Sequence, residues 1–183
     1  SAEQGLAQAE FLTGINYCAG LGVPQDYTEG AKWLRKAADK GQHSAQLQLG
    51  YLYREGHGVP KNPKEAVKWY RKAADQGDPE AQNALGLCYE DGRGVFRSQS
   101  KAAKWYRLAF EKGEMSGQVN LGRCYATGFG VKKNVVDAYA LWKLVEPRNP
   151  EVKKLLALVS KEMTPEQIVE GQKRAEELRR GIL

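Results

Sequence analysis

Apolar and small residues recur along this chain at a fixed spacing of 36 residues. In each period, a pattern of alanine, leucine, glycine and tyrosine with helical spacing is followed by Gly-x-Gly-Val and then by a second apolar pattern. The strictest columns are Gly14, Gly50, Gly86 and Gly122; Tyr17, Tyr53, Tyr89 and Tyr125; and Val23, Val59, Val95 and Val131. A fixed period of this length predicts stacked copies of one small structural unit.

The first half of each copy predicts a helix, as the second copy illustrates. Ala45 and Leu49 lie on one face of a helix expected over 44–55, and Gly56 is expected to end it in the left-handed conformation. Gly50 falls in the middle of this helix, where glycine costs about 1 kcal/mol relative to alanine. A glycine that recurs there needs a packing reason, and we expect close approach of the following helix.

The second half of each copy predicts another helix, over 63–76 in the second copy. Asn62 is a typical N-cap and Pro63 a typical first helical residue. The corresponding caps are Asp26, Asn62, Ser98 and Asn134. The inward face is expected to hold Ala66, Trp69, Tyr70, Ala73 and Ala74. Two basic columns are expected to point to solvent, namely Lys32, Lys68 and Lys104, and Arg35, Arg71 and Arg107.

The pattern predicts one domain over 1–183, made of four repeats and a C-terminal cap. The repeats are 5–40, 41–76, 77–112 and 113–148. The segment 149–183 leaves the pattern and predicts two covering helices, because a stack of repeats must shield its terminal apolar face. Asn149 replaces the closing glycine and can adopt the left-handed conformation. Thr164 opens the last helix with a capping box, and Ile182 is a candidate for its apolar face.

The columns A-x-x-x-L-G-x-x-Y-x-x-G-x-G-V and A-x-x-W-Y-x-K-A-A-x-x-G resemble Sel1-like repeats, which are related to tetratricopeptide repeats. The resemblance covers about residues 5–148 in four copies. It implies an all-α fold, a right-handed αα-superhelical solenoid of Sel1-like repeats with a C-terminal helical cap. It also implies a scaffold that binds other proteins, without naming the partner.

Composition and charge exclude some classes of function. The net charge of +6 lies in the second half, since residues 1–100 carry 12 basic and 12 acidic side chains whereas 101–142 carry 7 and 3. These basic side chains could attract an acidic partner, or they could simply be solvated surface residues. No basic stripe alternates with stacking aromatics, so no nucleic-acid partner is expected. No apolar run approaches the roughly 20 residues of a membrane span. The chain begins at Ser1 without a signal-like stretch, which suggests a mature or trimmed form, and a periplasmic or secreted location is favoured.

The sequence offers no recognisable catalytic chemistry. Each Gly-x-Gly follows a helix, whereas a nucleotide-binding loop would follow a strand. His43 and His57 are expected at the surface, and no Cys, His or Asp cluster has metal-ligand spacing. Cys18, Cys88 and Cys124 are expected to be buried free thiols. We therefore predict no enzyme, no catalytic residue, no cofactor and no metal.

Exposed columns in which the repeats differ are the candidates for partner contact. By analogy with tetratricopeptide proteins, the first helix of each repeat would line a concave groove. The candidate groove residues are Phe11, Ile15, Leu47, Tyr51, Arg54, Glu55, Leu87, Glu90, Asp91 and Arg123. The apolar members could equally pack between neighbouring first helices. The column Glu10, Gln46, Gln82 and Gln118 could bond an extended peptide backbone or be solvated.

These observations support a non-enzymatic, monomeric scaffold that holds a protein or peptide in its concave groove. The family resemblance extends to bacterial immunity proteins, which neutralise a toxic effector, and to envelope-associated proteins. The alternative is binding of a small or polymeric envelope ligand such as a peptidoglycan fragment. That alternative predicts a deep polar pocket, whereas a peptide needs a long shallow groove.

Overall fold

The computed structural model describes residues 2–146 and 149–181, with side chains from residue 4 onward. Those residues form ten α-helices and no strand. In chain order the helices are α1 (Ala2–Ala19), α2 (Tyr27–Asp39), α3 (His43–Glu55), α4 (Pro63–Asp75), α5 (Pro79–Asp91), α6 (Gln99–Glu111), α7 (Met115–Thr127), α8 (Val135–Val145), α9 (Val152–Ser160) and α10 (Pro165–Arg179). Residues 147–148, at the end of the fourth predicted repeat, and 182–183, which include Ile182, lie outside the described residues.

The chain packs as two compact units, Ser1–Arg97 and Ser98–Leu183. In the first unit, α1 to α5 pack in sequence, each helix against the next. In the second unit, α6 packs on α7 and α7 on α8, while α9 and α10 both pack on α8. The proposal that residues 1–183 form one domain with the repeat boundaries given above stays a prediction.

Capping residues set the helix boundaries that the sequence predicts. The Asn62 side chain accepts a hydrogen bond from the Glu65 amide at 3.1 Å, and Pro63 is the first residue of α4. At the end of α3, Gly56 has φ of 83°, in the left-handed region. Thr164 forms the predicted capping box with Gln167 at the start of α10. The predicted helices 44–55 and 63–76 therefore agree with α3 and α4 to within one residue.

Mid-helix glycines mark the closest helix contacts, as predicted. A Cβ atom added at Gly50 would lie 2.5 Å from Cε1 of Tyr70 on α4. Gly14 meets Leu34 and Gly122 meets Trp142 in the same way. The predicted inward face of α4 is also confirmed, since Ala66, Trp69, Tyr70, Ala73 and Ala74 are all buried.

From the second repeat onward, the second glycine of the Gly-x-Gly turn has a packing role that the sequence did not reveal, whereas Gly22 in the first repeat meets no atom within 4 Å. A Cβ at Gly58 would lie 2.1 Å from the carbonyl oxygen of Tyr27, at the start of α2. Gly94 lies equally close to Pro63 at the start of α4. Both glycines have positive φ, so the turn and the close approach each require glycine. These turns therefore pack directly on the preceding repeat.

The lysine column and Arg107 are exposed as predicted, but Arg35 and Arg71 are half-buried, so the prediction is wrong for these two arginines. The Arg71 guanidinium donates to the Tyr89 hydroxyl at 2.6 Å, and Arg35 donates to the Tyr53 hydroxyl. Each bond joins the second helix of one repeat to the first helix of the next. This pairing cannot be read from the sequence, because the partners lie 18 residues apart in different columns. The arginines therefore hold neighbouring repeats together.

Asn149 also differs from the expectation for a helix-closing residue. No non-glycine residue in the described ranges has positive φ, so Asn149 is not left-handed. Its amide instead donates to the Val145 carbonyl oxygen at 2.9 Å, and its side chain accepts from the Glu151 amide at 3.1 Å. Asn149 therefore links the end of α8 to the start of α9 through hydrogen bonds.

Candidate functional site

The C-terminal half of α3 presents an aromatic and charged cluster in the first unit. The Tyr51 ring packs edge-on against the Tyr70 ring, with the centroids 5.4 Å apart. The Arg54 guanidinium lies 4.8 Å from the centre of the Tyr51 ring, a cation–π contact. Arg54 Nε also lies 2.5 Å from an oxygen of Glu55. Three of the predicted groove residues, Tyr51, Arg54 and Glu55, are thus fixed relative to one another.

A cavity of about 330 Å³ opens beside this cluster, and we call it the α3–α5 pocket. It lies among the C-terminal end of α3, the start of α4 and the C-terminal end of α5. Its lining residues are Arg54, Glu55, Lys61, Pro63, Ala66, Cys88 and Arg93. Three cationic side chains and one carboxylate thus face one small space, and Arg93 is also paired with Asp91 at 3.1 Å.

The charges in the α3–α5 pocket favour an anion. The hydrogen bond from Arg54, together with the positive charges of Arg54 and Lys61, lowers the pKa of Glu55. Burial acts to lower the pKa of Arg54, but the nearby Tyr70 and Glu55 outweigh it and the pKa is raised. Arg54 and Glu55 therefore stay ionised at neutral pH. With Lys61 and Arg93 also cationic, a carboxylate from outside would meet a net positive surface.

The buried polar groups beside the pocket are poorly suited to catalysis. Burial raises the pKa of the Cys88 thiol to about 11, against smaller opposing effects of Arg54 and Arg93. The thiol is therefore protonated at neutral pH, whereas the thiolate is the nucleophile. Burial also raises the pKa of Tyr70, whose hydroxyl has no hydrogen-bond partner within the described part of the chain. The described residues contain no His, Cys, Asp or Glu cluster able to hold a metal ion.

The remaining predicted groove residues are distributed over three helices. Leu87 and Glu90 are half-buried on α5. Phe11 and Ile15, on α1, are partly buried against the apolar core of the first unit. Arg123 is exposed on α7, which belongs to the second unit. The structure thus brings the α3 residues together with the C-terminal end of α5.

Leu47 is the exception among the predicted anchors. Its side chain is only 4% exposed, so it is part of the core and cannot serve as a surface contact. Leu47 lies one helical turn before Gly50, so it shares the face of α3 that packs closely on α4. This outcome matches the alternative that the apolar first-helix residues pack inside the stack.

The column of Glu10, Gln46, Gln82 and Gln118 is buried. The sequence had instead suggested contact with a peptide backbone or exposure to solvent. Gln46 Nε2 donates to the Ala38 carbonyl oxygen at 3.0 Å, and Gln82 Nε2 to that of Ala74 at 3.3 Å. The acceptors lie in the last turns of α2 and α4, where backbone carbonyls lack helical partners. In the second unit, Gln118 donates to the Leu141 carbonyl oxygen at 2.9 Å. The three glutamines therefore add hydrogen bonds to backbone carbonyls inside the stack, whereas Glu10 pairs with Lys40.

Lys61, Cys88 and Arg93 line the pocket but are not among the residues predicted to contact a partner. The predicted contact residues all lie on the first helices of the repeats, whereas Lys61 and Arg93 lie in the turns. The middle residue of the Gly-x-Gly turn differs in every repeat, being Leu21, His57, Arg93 and Phe129. That variability was a usable signal. It could not show that the turn of one repeat lies beside the helix end of its neighbour.

The two histidines make structural contacts. His43 Nδ1 lies 2.7 Å from a carboxylate oxygen of the buried Asp78, although the imidazole itself is half exposed. Asp78 in turn caps α5 by accepting from the Ala81 amide at 2.9 Å. His57 is exposed and its ring lies 4.9 Å from that of Tyr27. The three cysteines are free thiols, and Cys88 and Cys124 are buried as expected, whereas Cys18 is only half-buried. None of the described helices has the length and apolar character of a membrane span.

The family model that matches this chain is the Sel1 repeat, at residues 7–42, 43–78, 79–114 and 116–144. These matches cover most of the chain, which belongs to the Sel1 repeat family. The predicted fold class, an all-α solenoid of Sel1-like repeats with a C-terminal helical cap, is thereby confirmed. Sel1 repeats generally mediate protein–protein interaction, and proteins of this scaffold family are generally non-catalytic.

Solved structures of Sel1 repeat proteins resemble this chain. A Sel1 repeat protein from Oxalobacter formigenes is 33% identical, with 93% of this chain and 73% of that chain covered and a TM-score of 0.80. Cysteine rich protein B of Helicobacter pylori is 25% identical over 62% of this chain and 87% of its own, with a TM-score of 0.52. A protective antigen of uropathogenic Escherichia coli with an SLR fold is 30% identical over 97% of this chain and 47% of its own. Its TM-score of 0.45 is too low to support an argument from structure. No match was found among curated proteins.

Proposed function

We propose that this chain is a non-enzymatic scaffold that binds a protein or peptide partner on the face formed by α3 and α5. The observation that carries the proposal is the α3–α5 pocket, in which Arg54, Lys61 and Arg93 face one cavity of about 330 Å³. A pocket of this size admits a side chain, and its cations suit the carboxylate of an acidic residue. The partner therefore presents an aspartate, a glutamate or a C-terminal carboxylate to this pocket.

The residues around the pocket would supply the rest of the contact. Tyr51 is partly exposed and is held in place by Tyr70 and Arg54, so it loses little conformational freedom on binding. Rigid aromatic and arginine side chains are the residue types that dominate binding energy at protein interfaces. Leu87, Glu90 and Asp91 on α5 extend the surface. Leu47 has no part in it, because its side chain is buried.

Affinity capture with a charge-reversed bait tests this proposal. The bait Arg54→Glu/Arg93→Glu should lose a protein that the unchanged chain captures. The control Lys153→Glu/Lys154→Glu makes the same change in net charge at two exposed sites on α9 and should capture that protein normally. Circular dichroism checks that all three baits are folded. Equal capture by all three would place the binding surface elsewhere.

The same baits separate the narrower roles. For effector-neutralising immunity, co-expression of the unchanged chain should rescue cells from a toxic partner, and the Arg54→Glu/Arg93→Glu variant should fail to do so. Calorimetric titration with muropeptides addresses the peptidoglycan alternative. Heat that saturates there, with no protein captured by any bait, would overturn the proposal in favour of an envelope ligand.

A further inference from the structure

The tryptophan of the second repeat fills a well-defined position between two repeats. Trp69 is 3% exposed and packs in the core cluster that also contains Ala38 and Leu49. The Arg35 guanidinium lies 4.9 Å from the Trp69 ring centre, and it also donates a hydrogen bond to the Tyr53 hydroxyl. An indole at this position is thus enclosed by an arginine, a tyrosine and aliphatic side chains.

The corresponding position in the second unit lacks the indole. Two repeats further along the chain, Arg107, Tyr125 and Leu141 stand in the columns of Arg35, Tyr53 and Trp69. The bond between the repeats is kept, because Arg107 donates to the Tyr125 hydroxyl at 2.6 Å. Leucine is smaller than tryptophan, and a cavity of about 210 Å³ borders Arg107, Tyr125 and Leu141. We call this space the Leu141 cavity.

The other walls of the Leu141 cavity leave room for one aromatic ring. Phe110 stands in the column of Ala38, so a larger residue already occupies part of the space, yet the cavity remains. Leu178 and Arg174 of α10 line the cavity as well, and Arg174 Nε is paired with Asp137 at 2.7 Å. The lining is apolar only in part, because Glu111 also contributes to it. A ring the size of benzene occupies an apolar cavity of about 150 Å³. The Leu141 cavity exceeds that volume.

We propose that the Leu141 cavity receives an aromatic side chain from an acidic segment of a protein partner. The ring takes the place that Trp69 occupies between the earlier repeats, beside the Arg107 guanidinium, where a cation–π contact favours it. The charge of the unit selects the flanking residues. Residues 98–183 carry 16 basic and 10 acidic side chains, whereas 1–97 carry 12 of each. In the lining itself, Arg107 and Arg174 are balanced by Glu111 and Asp137. The ring of the aromatic residue therefore suits the cavity, and acidic flanking residues complement the net positive charge of the unit around it.

This site goes beyond the proposed function, because it lies in the second unit and is independent of the α3–α5 pocket. The test titrates the ¹⁵N-labelled protein with the peptide acetyl-Glu-Trp-Glu-amide and follows its amide resonances. Saturable shifts are expected at Tyr125, Leu141 and Leu178. The peptides acetyl-Glu-Leu-Glu-amide and acetyl-Lys-Trp-Lys-amide test the ring and the charges separately, and both should bind more weakly.

Three variants test whether the peptide binds in the Leu141 cavity. Leu141→Trp fills the cavity and should weaken binding by about tenfold or more, equivalent to about 1.4 kcal/mol. Leu141→Phe fills it in part and covers the case in which the larger residue disturbs folding. Leu108→Trp is the matched control, because Leu108 is an exposed residue of α6 that does not line the cavity, and it should leave binding unchanged.

Three outcomes would overturn the proposal. The first is that the Glu-Trp-Glu peptide gives no saturable shifts, or that Leu141→Trp binds it as well as the unchanged chain does. The second is equal binding of the leucine or lysine peptide, which removes the aromatic or the acidic requirement. The third is that the cavity binds a second copy of this chain, through Phe96, which is 97% exposed. Self-association in sedimentation equilibrium that both Leu141→Trp and Phe96→Ser abolish would identify that copy instead.

Discussion

Substituting Gly50 by alanine tests the close packing that defines each repeat. Gly50 lies in the middle of α3, facing the ring of Tyr70 on α4. A Cβ at this position would lie 2.5 Å from Tyr70 Cε1 and 2.6 Å from Cδ1. Carbon atoms in favourable contact are about 3.5–4.0 Å apart. The ring or the helix must therefore shift by about 1 Å to admit one methyl group.

The expected cost follows from two opposing effects. Alanine is favoured over glycine within a helix by about 1 kcal/mol, which would stabilise the variant. Overpacking a core costs about 1–3 kcal/mol, and the upper end applies because the Tyr70 side chain is fully buried and has no free space to enter. We therefore expect Gly50→Ala to lower the free energy of unfolding by about 2 kcal/mol. The Tm should fall by about 4–8 °C.

Thermal and urea unfolding followed by circular dichroism measure this change. Gly5→Ala is the control, because Gly5 is also helical but a Cβ there would meet no atom within 4 Å. That variant gains the helix preference without the overlap, and its stability should be unchanged or slightly higher. The two variants thus make the same chemical change in a crowded and an open position.

A double-mutant cycle with Tyr70→Val tests the cause. Valine lacks the ring atoms that Gly50→Ala would meet, so adding Gly50→Ala in that background should be neutral or stabilising. The coupling energy should be about 2–3 kcal/mol, well above the scatter of about 0.5 kcal/mol for independent sites. A Gly50→Ala variant as stable as the unchanged protein would refute the close-packing argument, as would the same loss in both backgrounds.

Three further changes have expected outcomes. Asn62→Ala removes the cap of α4 and should lower the free energy of unfolding, measured in urea, by about 1 kcal/mol, whereas Asn62→Asp should retain most of the stability of the unchanged chain. Equal stability of the unchanged chain and both variants would contradict a capping role. Tyr70→Phe removes a buried hydroxyl without a described partner and should leave the Tm unchanged or raised, since such a group costs about 1–3 kcal/mol; a marked loss would mean that the hydroxyl is bonded. Burial raises the pKa of Cys88 from 9.0 to about 11, so the contribution of the buried thiol to stability is complete below pH 9 and is lost as the pH rises through 11. Cys88→Ala should therefore flatten the decline in the free energy of unfolding between pH 9 and 11. An unchanged slope in that variant would count against the shift.

The sequence was sufficient to predict the helices and their caps. Asn62, Pro63 and Gly56 act locally, through hydrogen bonds and backbone angles within a few residues, so their positions determine where helices begin and end. The repetition strengthened the prediction, because each signal occurs in the same place in several copies. The close contact at Gly50 was predicted for the same reason, since a costly glycine that recurs in every copy implies a neighbour.

Contacts between repeats could not be predicted in the same way. The hydrogen bond between Arg71 and Tyr89, and that between Gln82 and the Ala74 carbonyl, join residues in different columns. A uniform column shows that a position matters without identifying the residue it contacts. The arginine and glutamine columns therefore looked like solvated or ligand-binding surfaces, although the arginines, Gln46 and Gln82 connect one repeat to the next.

The candidate binding sites depend on departures from uniformity, and this is where both the sequence and the structure are needed. Arg93 and Leu141 each differ from their counterparts in the other repeats, and the sequence alone shows that difference. The structure shows what each difference does, because the surrounding residues that recur in every repeat allow the same position to be compared between repeats. Arg93 adds a cation to a pocket that Arg54 and Lys61 already line, and Leu141 leaves space where Trp69 fills its own site. Under both proposals, the residues that would recognise a partner are ones that differ between repeats, and the residues that recur in each repeat hold them in place.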